Sequence, residues 1–254
     1  MTHKFQKFIL RSKFKNLPVK IFVKESDKRS KVGLIINPGA FEEAWGDNNR
    51  YKYILLWLQK NLNSKPTIIA YQTSRLADVG KSKSETIENY WIRIFKGKTF
   101  QHELSDVRKV YEFLLAEKKF HLDTIYVVGF SLGGTFGLIL SSTFKQIKKI
   151  CLLGSAISTK RPNLPVLIGY PAKNWILNRA SKFKNYIKLY QGYNEKIVPF
   201  DDQIEIISAL KNPRYASLVR INKADHMFSG KNKYGLIYYY WMLNDVKNFF
   251  GVSI

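Results

Sequence analysis

Acidic side chains are scarce in this chain. Only 19 Asp and Glu stand against 42 Lys and Arg in 254 residues, a formal net charge of +23. Between Asp123 and Glu195 there is none at all. Chemistry in the later part of the chain that needs a carboxylate must therefore draw on Glu195, Asp201, Asp202, Glu205, Asp225 or Asp245. Cysteine is scarcer still. The single Cys151 excludes an internal disulfide, and its setting, Ile150-Cys-Leu-Leu153, reads as a buried strand with an inert core thiol. No Cys/His spacing suggests a metal site and no glycine-rich phosphate loop occurs, so neither metal nor cofactor is expected. No uninterrupted apolar run approaches the roughly 20 residues of a membrane-spanning helix. Tyr238-Tyr-Tyr-Trp-Met-Leu243 is too short for that and reads as a packed C-terminal helix. The start, Met1 to Lys13, is basic but lacks a sustained apolar core, which argues against a secretory leader and for a cytoplasmic protein. No Pro/Gly/Ser-rich linker, composition break or repeat divides the chain. Residues 1–254 are expected to form one domain, and 45% hydrophobic content supports a sizeable core.

What is present alternates between strand-like and helix-like segments. Lys20-Ile-Phe-Val23 is expected to pair with the segment around Phe8-Ile-Leu10, in a hairpin closing near Pro18. Lys31-Val-Gly-Leu-Ile-Ile36 and Pro66-Thr-Ile-Ile-Ala-Tyr71 read as strands, with a helix near 51–58 between them. A long loop to about Phe100 follows. Then Glu103–Leu115 places apolar residues 104, 107, 110/111 and 114 at helical spacing. Strands near 150, 188 and 219, a helix near 205 and a closing helix complete the pattern. Such alternation predicts an α/β fold with a mostly parallel central sheet and helices on both faces.

One turn in this pattern carries chemistry. Gly129-Phe-Ser-Leu-Gly133 follows the apolar run Thr124-Ile-Tyr-Val-Val128 and precedes the helix-compatible run Thr135–Leu140. Strand, sharp turn and helix with a serine at the apex form a nucleophile elbow. The tight turn forces Ser131 into a strained conformation, so Gly129 and Gly133 must lack side chains.

A base and an acid are found by elimination. Of His3, His102, His121 and His226, only His226 follows Ser131. It sits on the loop after the strand-like Ala216–Ile221, where a general base to Ser131 would belong, although a surface histidine beside Asp225 is the plain alternative. Glu195 comes three residues after an apolar strand ends at Gly192, placed to hold the imidazole in one tautomer and stabilise its cation. Asp201 and Asp202 come second, and read better as the N-cap and first-turn charges of the next helix. Asp225 adjoins the histidine too closely to reach its ring.

With these residues the sequence resembles the α/β-hydrolase family, and in particular its small single-domain serine esterases. The resemblance is carried by the elbow, the acid loop Gly192-Tyr-Asn-Glu-Lys-Ile-Val-Pro199 and the base loop Ala224-Asp-His226, and extends from about Val32 to the C-terminal helix. It departs in having Glu where Asp is commoner. The family commonly has His-Gly after its first long central strand, and here Asn37-Pro-Gly-Ala40 stands in that place. The resemblance implies an oxyanion hole made by the backbone N–H groups of Ala40 and Leu132, with Phe41 as the alternative donor. It also implies a short cap at about 155–184, overhanging the nucleophile.

That implied cap contains Lys160, Arg161, Lys173, Arg179, Lys182 and Lys184 and no acid, together with Tyr170, Trp175 and Phe183. A basic, aromatic overhang would favour an anionic ester, or peripheral contact with an anionic membrane bearing an ester lipid. The excess of lysine elsewhere reads as solvated surface. Charge alone raises nucleic-acid binding, but no helix-turn-helix, zinc finger or RNP-like motif accompanies it, so no specific nucleic acid is expected. The expected function is hydrolysis of a carboxylic ester through an acyl-enzyme. Thioesterase, aminopeptidase or acyltransferase chemistry on the same scaffold is the alternative, and a non-catalytic basic binding protein a more distant one.

Overall fold

The computed structural model describes residues 5–26, 30–46, 49–76, 80–228 and 233–252, apart from the side chains of 233–238. The expected basic start therefore falls partly outside the described residues, as does the side chain of Tyr238.

Sheet pairing follows the apolar runs. Val32–Asn37 (β3), Thr67–Gln72 (β4), Thr124–Phe130 (β5), Ile147–Leu153 (β6), Tyr186–Gly192 (β7) and Tyr215–Ile221 (β8) all pair in parallel. Gln6–Arg11 (β1) and Pro18–Lys24 (β2) form an antiparallel hairpin that joins the edge at β4. The order of the 8-stranded sheet is β1-β2-β4-β3-β5-β6-β7-β8. A parallel strand covered on both faces cannot alternate polar and apolar side chains, which is why Leu34, Ile35 and Ile36 are all fully buried.

Helices cover both faces. Arg50–Asn61 (α1) and Lys233–Gly251 (α7) pack on one face, through Tyr51, Ile54, Leu58, Met242 and Phe250 among others. The second face carries Phe100–Ala116 (α3), Leu132–Ser141 (α4), Lys173–Ala180 (α5) and Phe200–Ala209 (α6). Within 155–184 the helical part is α5, and its Ile176 and Ala180 are buried in the sheet-side core.

Two expectations are corrected. The stretch before Phe100 holds Ile87–Ile94 (α2), not only a loop. That helix is started by Thr86, whose hydroxyl accepts from the Asn89 N–H at 3.2 Å, and it buries only Ile94. Its apolar residues 87, 90, 91 and 94 do fall at helical spacing, but over only two turns, and Ile87 and Ile92 are exposed. Neither Asp201 nor Asp202 is the N-cap of α6. Pro199 holds that place and both acids lie in the first turn, where a negative charge still suits the helix dipole.

Not all of the excess lysine is solvated. Lys98 is fully buried, 3.0 Å from the buried Asp106 and paired also with Glu103, and it donates to the Ser74 carbonyl at 2.5 Å. It ties α3 to the exit of β4. Lys149 is fully buried with no carboxylate partner among the described residues; it lies over the rings of Tyr126 and Tyr186 and donates to the carbonyls of Phe249 at 3.2 Å and Phe250 at 3.1 Å. These carbonyls end α7, where the helix leaves its last acceptors unmet.

Candidate active site

The loops leaving the C-terminal ends of β3, β5, β6, β7 and β8 converge at one edge of the sheet, where open α/β sheets bind ligands. Ser131 follows β5 directly. Its φ of 48° and ψ of −122° lie where an L-residue is strained, and its N–H donates to the Leu153 carbonyl at 2.9 Å, holding the elbow to β6. The flanking glycines have no room for side chains. A Cβ at Gly129 would stand 2.4 Å from the Gly134 Cα, and one at Gly133 would stand 2.2 Å from the Pro38 carbonyl oxygen.

Glu195 lies on the loop after β7 with its carboxylate almost fully buried. Oε1 accepts from the N–H groups of Ile197 at 2.6 Å and Val198 at 3.1 Å, and Oε2 meets His226 Nδ1 at 2.6 Å. Burial pushes the carboxyl up. The hydrogen bond and charge of His226, with the two N–H groups, more than offset this and hold it below the ordinary carboxylate range. A carboxylate on Nδ1 makes that nitrogen the proton-bearing one and leaves Nε2 as the free base. Asp202 is spent elsewhere: it accepts from the Ile157 N–H at 3.0 Å and the Ser158 hydroxyl at 3.0 Å.

The imidazole and its acid lie over Gly154, the residue after β6. A Cβ there would stand 3.3 Å from His226 Nδ1 and 3.4 Å from Glu195 Oε2. Gly154 has a φ of 56°, so glycine is suited to it on both counts. Its chain neighbour Leu153 is the residue that binds the Ser131 N–H, so the imidazole and Ser131 flank the same strand end. Among the described residues Ser131 makes no hydrogen bond to His226. In unliganded sites such bonds are often long and tighten only with substrate.

The loop after β3 faces the elbow. A Cβ at Gly39 would lie 3.5 Å from the Ser131 Cβ. The Asn37 side chain, fully buried, donates to the Gly133 carbonyl at 3.1 Å and accepts from the Tyr71 hydroxyl at 2.9 Å, so it locks this loop to the start of α4. Ala40 and Leu132 have no acceptor for their N–H groups among the described hydrogen bonds. Phe41 adopts a φ of 64° and stacks on Trp91, ring centroids 4.8 Å apart.

A clamp that no motif announces joins this loop to the base loop. Arg50, opening α1, donates to the Met227 carbonyl at 2.7 Å, to the Tyr51 hydroxyl at 2.7 Å and to Glu42 Oε1 at 3.0 Å. Glu42 also accepts from the Gly39 N–H at 3.1 Å and from the Tyr51 hydroxyl. One guanidinium thus fixes the residue after His226 and the loop bearing Ala40. Sequence reading missed the roles of Asn37, Glu42 and Arg50 because their partners are 34 to 177 positions away or lie in an unpatterned loop.

Of the cationic residues at 155–184, Lys173 is paired with Glu205 at 2.7 Å and Arg179 stacks on Trp175 at 3.3 Å. No group of His, Cys, Asp and Glu among the described residues could hold a metal ion, and no described helix is long and apolar enough to cross a membrane.

No family model matches the sequence, and no curated protein matches it. Solved structures do match. An esterase of Pyrococcus furiosus superposes with a TM-score of 0.68 at 16% identity, over 98% of this chain and 92% of that one. The dienelactone hydrolase of Anabaena variabilis gives 0.64 at 14% identity over 98% of each chain. An alpha-beta serine hydrolase homologue of Coxiella burnetii gives 0.59 at 14% identity, over 97% of this chain and 99% of that one. Likeness at such low identity is likeness of fold.

Proposed function

We propose that this chain, which has the α/β-hydrolase fold, is a serine hydrolase that cleaves carboxylic esters through an acyl-enzyme. The observation that carries the reading is the 2.6 Å contact between His226 Nδ1 and Glu195, held over Gly154 beside the strained Ser131.

In this reading His226 Nε2 takes the Ser131 proton as Oγ attacks the ester carbonyl. The oxyanion rests on the N–H groups of Ala40 and Leu132, which have no acceptor among the described hydrogen bonds. The imidazolium, steadied by Glu195, then gives its proton to the departing alcohol. Water enters, His226 takes a proton from it, and the hydroxide attacks the acyl-Ser131 carbonyl. Collapse of that second tetrahedral species returns the proton to Ser131 Oγ and frees the acid. Asn37 and Arg50 position the two loops and do not touch the reacting atoms. We place the enzyme in the cytoplasm, where its one cysteine, free and buried, needs no partner.

The test is a panel of p-nitrophenyl esters of graded acyl length, run beside a thioester and an aminoacyl amide. Ester turnover with a burst of p-nitrophenol, absent in Ser131→Ala, is the expected result. Faster turnover of the thioester or the amide assigns the same machinery to those substrates, and turnover of none of the three overturns the proposal.

A further inference from the structure

We propose that a cleft beside the acid loop is a subsite for a carboxylate or phosphate group and selects esters that carry one. The substrate assignment rests on the ester-hydrolase reading above, whereas the anion assignment rests on the cleft itself.

The cleft encloses about 210 Å³. That is smaller than the roughly 300–1,000 Å³ of a complete small-molecule site, but suits one charged group with its adjoining carbons. Three cations from separate segments line it. Lys160 comes from the loop after β6, Lys196 from the acid loop and Arg220 from β8. All three are exposed and none has a carboxylate in ion-pairing reach among the described residues. The Arg220 guanidinium lies 4.2 Å from the Tyr193 ring centroid and 4.6 Å from that of Phe200. Such stacking holds the flat group in place while its N–H donors stay free, the arrangement that suits planar or tetrahedral oxyanions.

The acid groups nearby do not fill the cleft. Glu195 lines it, but both carboxylate oxygens are already taken by Ile197, Val198 and His226. Asp202 turns into the protein toward Ile157 and Ser158. Asp225 accepts from the Met227 N–H on its own loop. The ten-residue α6 also begins at this wall, but Asp201 and Asp202 in its first turn offset the positive end of its dipole, so the three cations carry the anion preference. Gln191 also lines the cleft, and its buried Oε1 has no donor among the described residues. A buried acceptor left so calls for a bound water or ligand hydroxyl.

The cleft is set off from the nucleophile. Ser131 follows β5 and the cleft sits at the ends of β7 and β8, so a substrate must span at least two strand spacings, about 9.5 Å. The charge would therefore sit at the far end of an acyl or alcohol chain, not beside the scissile bond. Among the cations of 155–184, this gives Lys160 a role that Lys173 and Arg179, already engaged, cannot fill.

The experiment compares the p-nitrophenyl ester of nonanoic acid with the mono-p-nitrophenyl ester of nonanedioic acid. The charged ester should show kcat/KM about tenfold higher, chiefly through KM, with the advantage shrinking as salt rises. Arg220→Gln and Lys160→Gln should each remove most of that advantage and leave the neutral ester unchanged. Inorganic phosphate should compete with the charged ester and not with the neutral one. Calorimetric titration of Ser131→Ala with nonanedioate and with phosphate reads the site without catalysis, and Arg220→Gln in that background should weaken both. If Ser131→Ala binds neither anion, or binds them equally without Arg220, the site is overturned. Equal use of the two esters alongside Arg220-dependent phosphate binding overturns the substrate assignment, since the cleft then holds a free anion. If the wild type cleaves neither ester while Ser131→Ala binds nonanedioate through Arg220, the ester-hydrolase reading fails and the anion site stands.

Discussion

Arg50 offers the most direct probe of how the site is held together. Its guanidinium reaches the Met227 carbonyl, the Tyr51 hydroxyl and Glu42, and so links the loop after β3 to the loop of His226. Arg50→Ala removes these bonds, with a further one to Glu42 Oε2 at 3.3 Å, and among the described residues leaves Glu42 the Gly39 N–H and the Tyr51 hydroxyl. The side chains of Arg50 and Glu42 are 29% and 26% exposed, so water screens part of the lost pairing. We expect a stability cost of about 1–2 kcal/mol, below that of a fully buried charge pair. At this chain length that is a fall in Tm of roughly 2–8 °C. The catalytic effect should be larger in proportion. In the proposed reaction both loops carry groups that meet the reacting atoms, and a shift of about 1 Å in such a group costs on the order of a hundredfold. A fall in kcat/KM of roughly 10- to 100-fold is therefore predicted. Arg50→Lys should recover little of it, since a single ammonium cannot fork to two loops. The assays are thermal unfolding and ester turnover well below the new Tm, with a double-mutant cycle against Glu42→Ala. Strong non-additivity is expected because the two residues are in contact. Activity of Arg50→Ala within twofold of wild type, or strict additivity in the cycle, would refute the clamp.

Three further outcomes can be checked separately. Gly133→Ala forces a Cβ to 2.2 Å from the Pro38 carbonyl oxygen and 2.3 Å from that of Asn37, and backbone cannot swing aside. A loss of about 3 kcal/mol is expected, read as a drop in Tm of roughly 6–12 °C, and a soluble, active variant of wild-type Tm would contradict it. Glu195→Gln should keep the fold but disturb the imidazole's tautomer, lowering kcat by roughly 10³- to 10⁴-fold, while Asp201→Asn, with its side chain in the first turn of α6, should change it little. Burial pushes the Lys149 ammonium down to about 8, whereas in the unfolded chain it titrates near 10.4. Between those values the unfolded state holds the proton and the folded state does not, so stability rises with pH across that window. Denaturant titrations should show that Lys149→Met lacks this rise, and identical pH profiles for the two proteins would exclude it.

How much of this was readable beforehand depends on whether the signal is local. The parallel sheet shows in the sequence because strands such as Leu34-Ile-Ile36 are buried on both faces and so form unbroken apolar runs. The elbow shows because the glycines that admit the turn are within two residues of the serine. The acid could be narrowed through scarcity, and the structure puts Glu195 on the imidazole while Asp202 bonds to Ile157 and Ser158. Short α2 escaped notice because its apolar spacing at 87, 90, 91 and 94 spans only two turns. The Arg50 clamp, the Asn37 lock and the gathering of Lys160, Lys196 and Arg220 also left no trace in spacing. Each is made by segments far apart in the chain, and a long polar side chain gives no periodic sign of which partner it will find. The same holds for Lys98 and Lys149, which the composition alone would place on the surface.

The central claim is that the Ser131 hydroxyl is nucleophilic, and covalent labelling tests it most directly. Incubated with a fluorophosphonate, the wild-type chain should gain one adduct, and peptide mass spectrometry should place it on Ser131. Ser131→Ala should take up none, and His226→Ala should react far more slowly. A folded wild-type protein that stays unlabelled, or an adduct that persists in Ser131→Ala, would contradict the account.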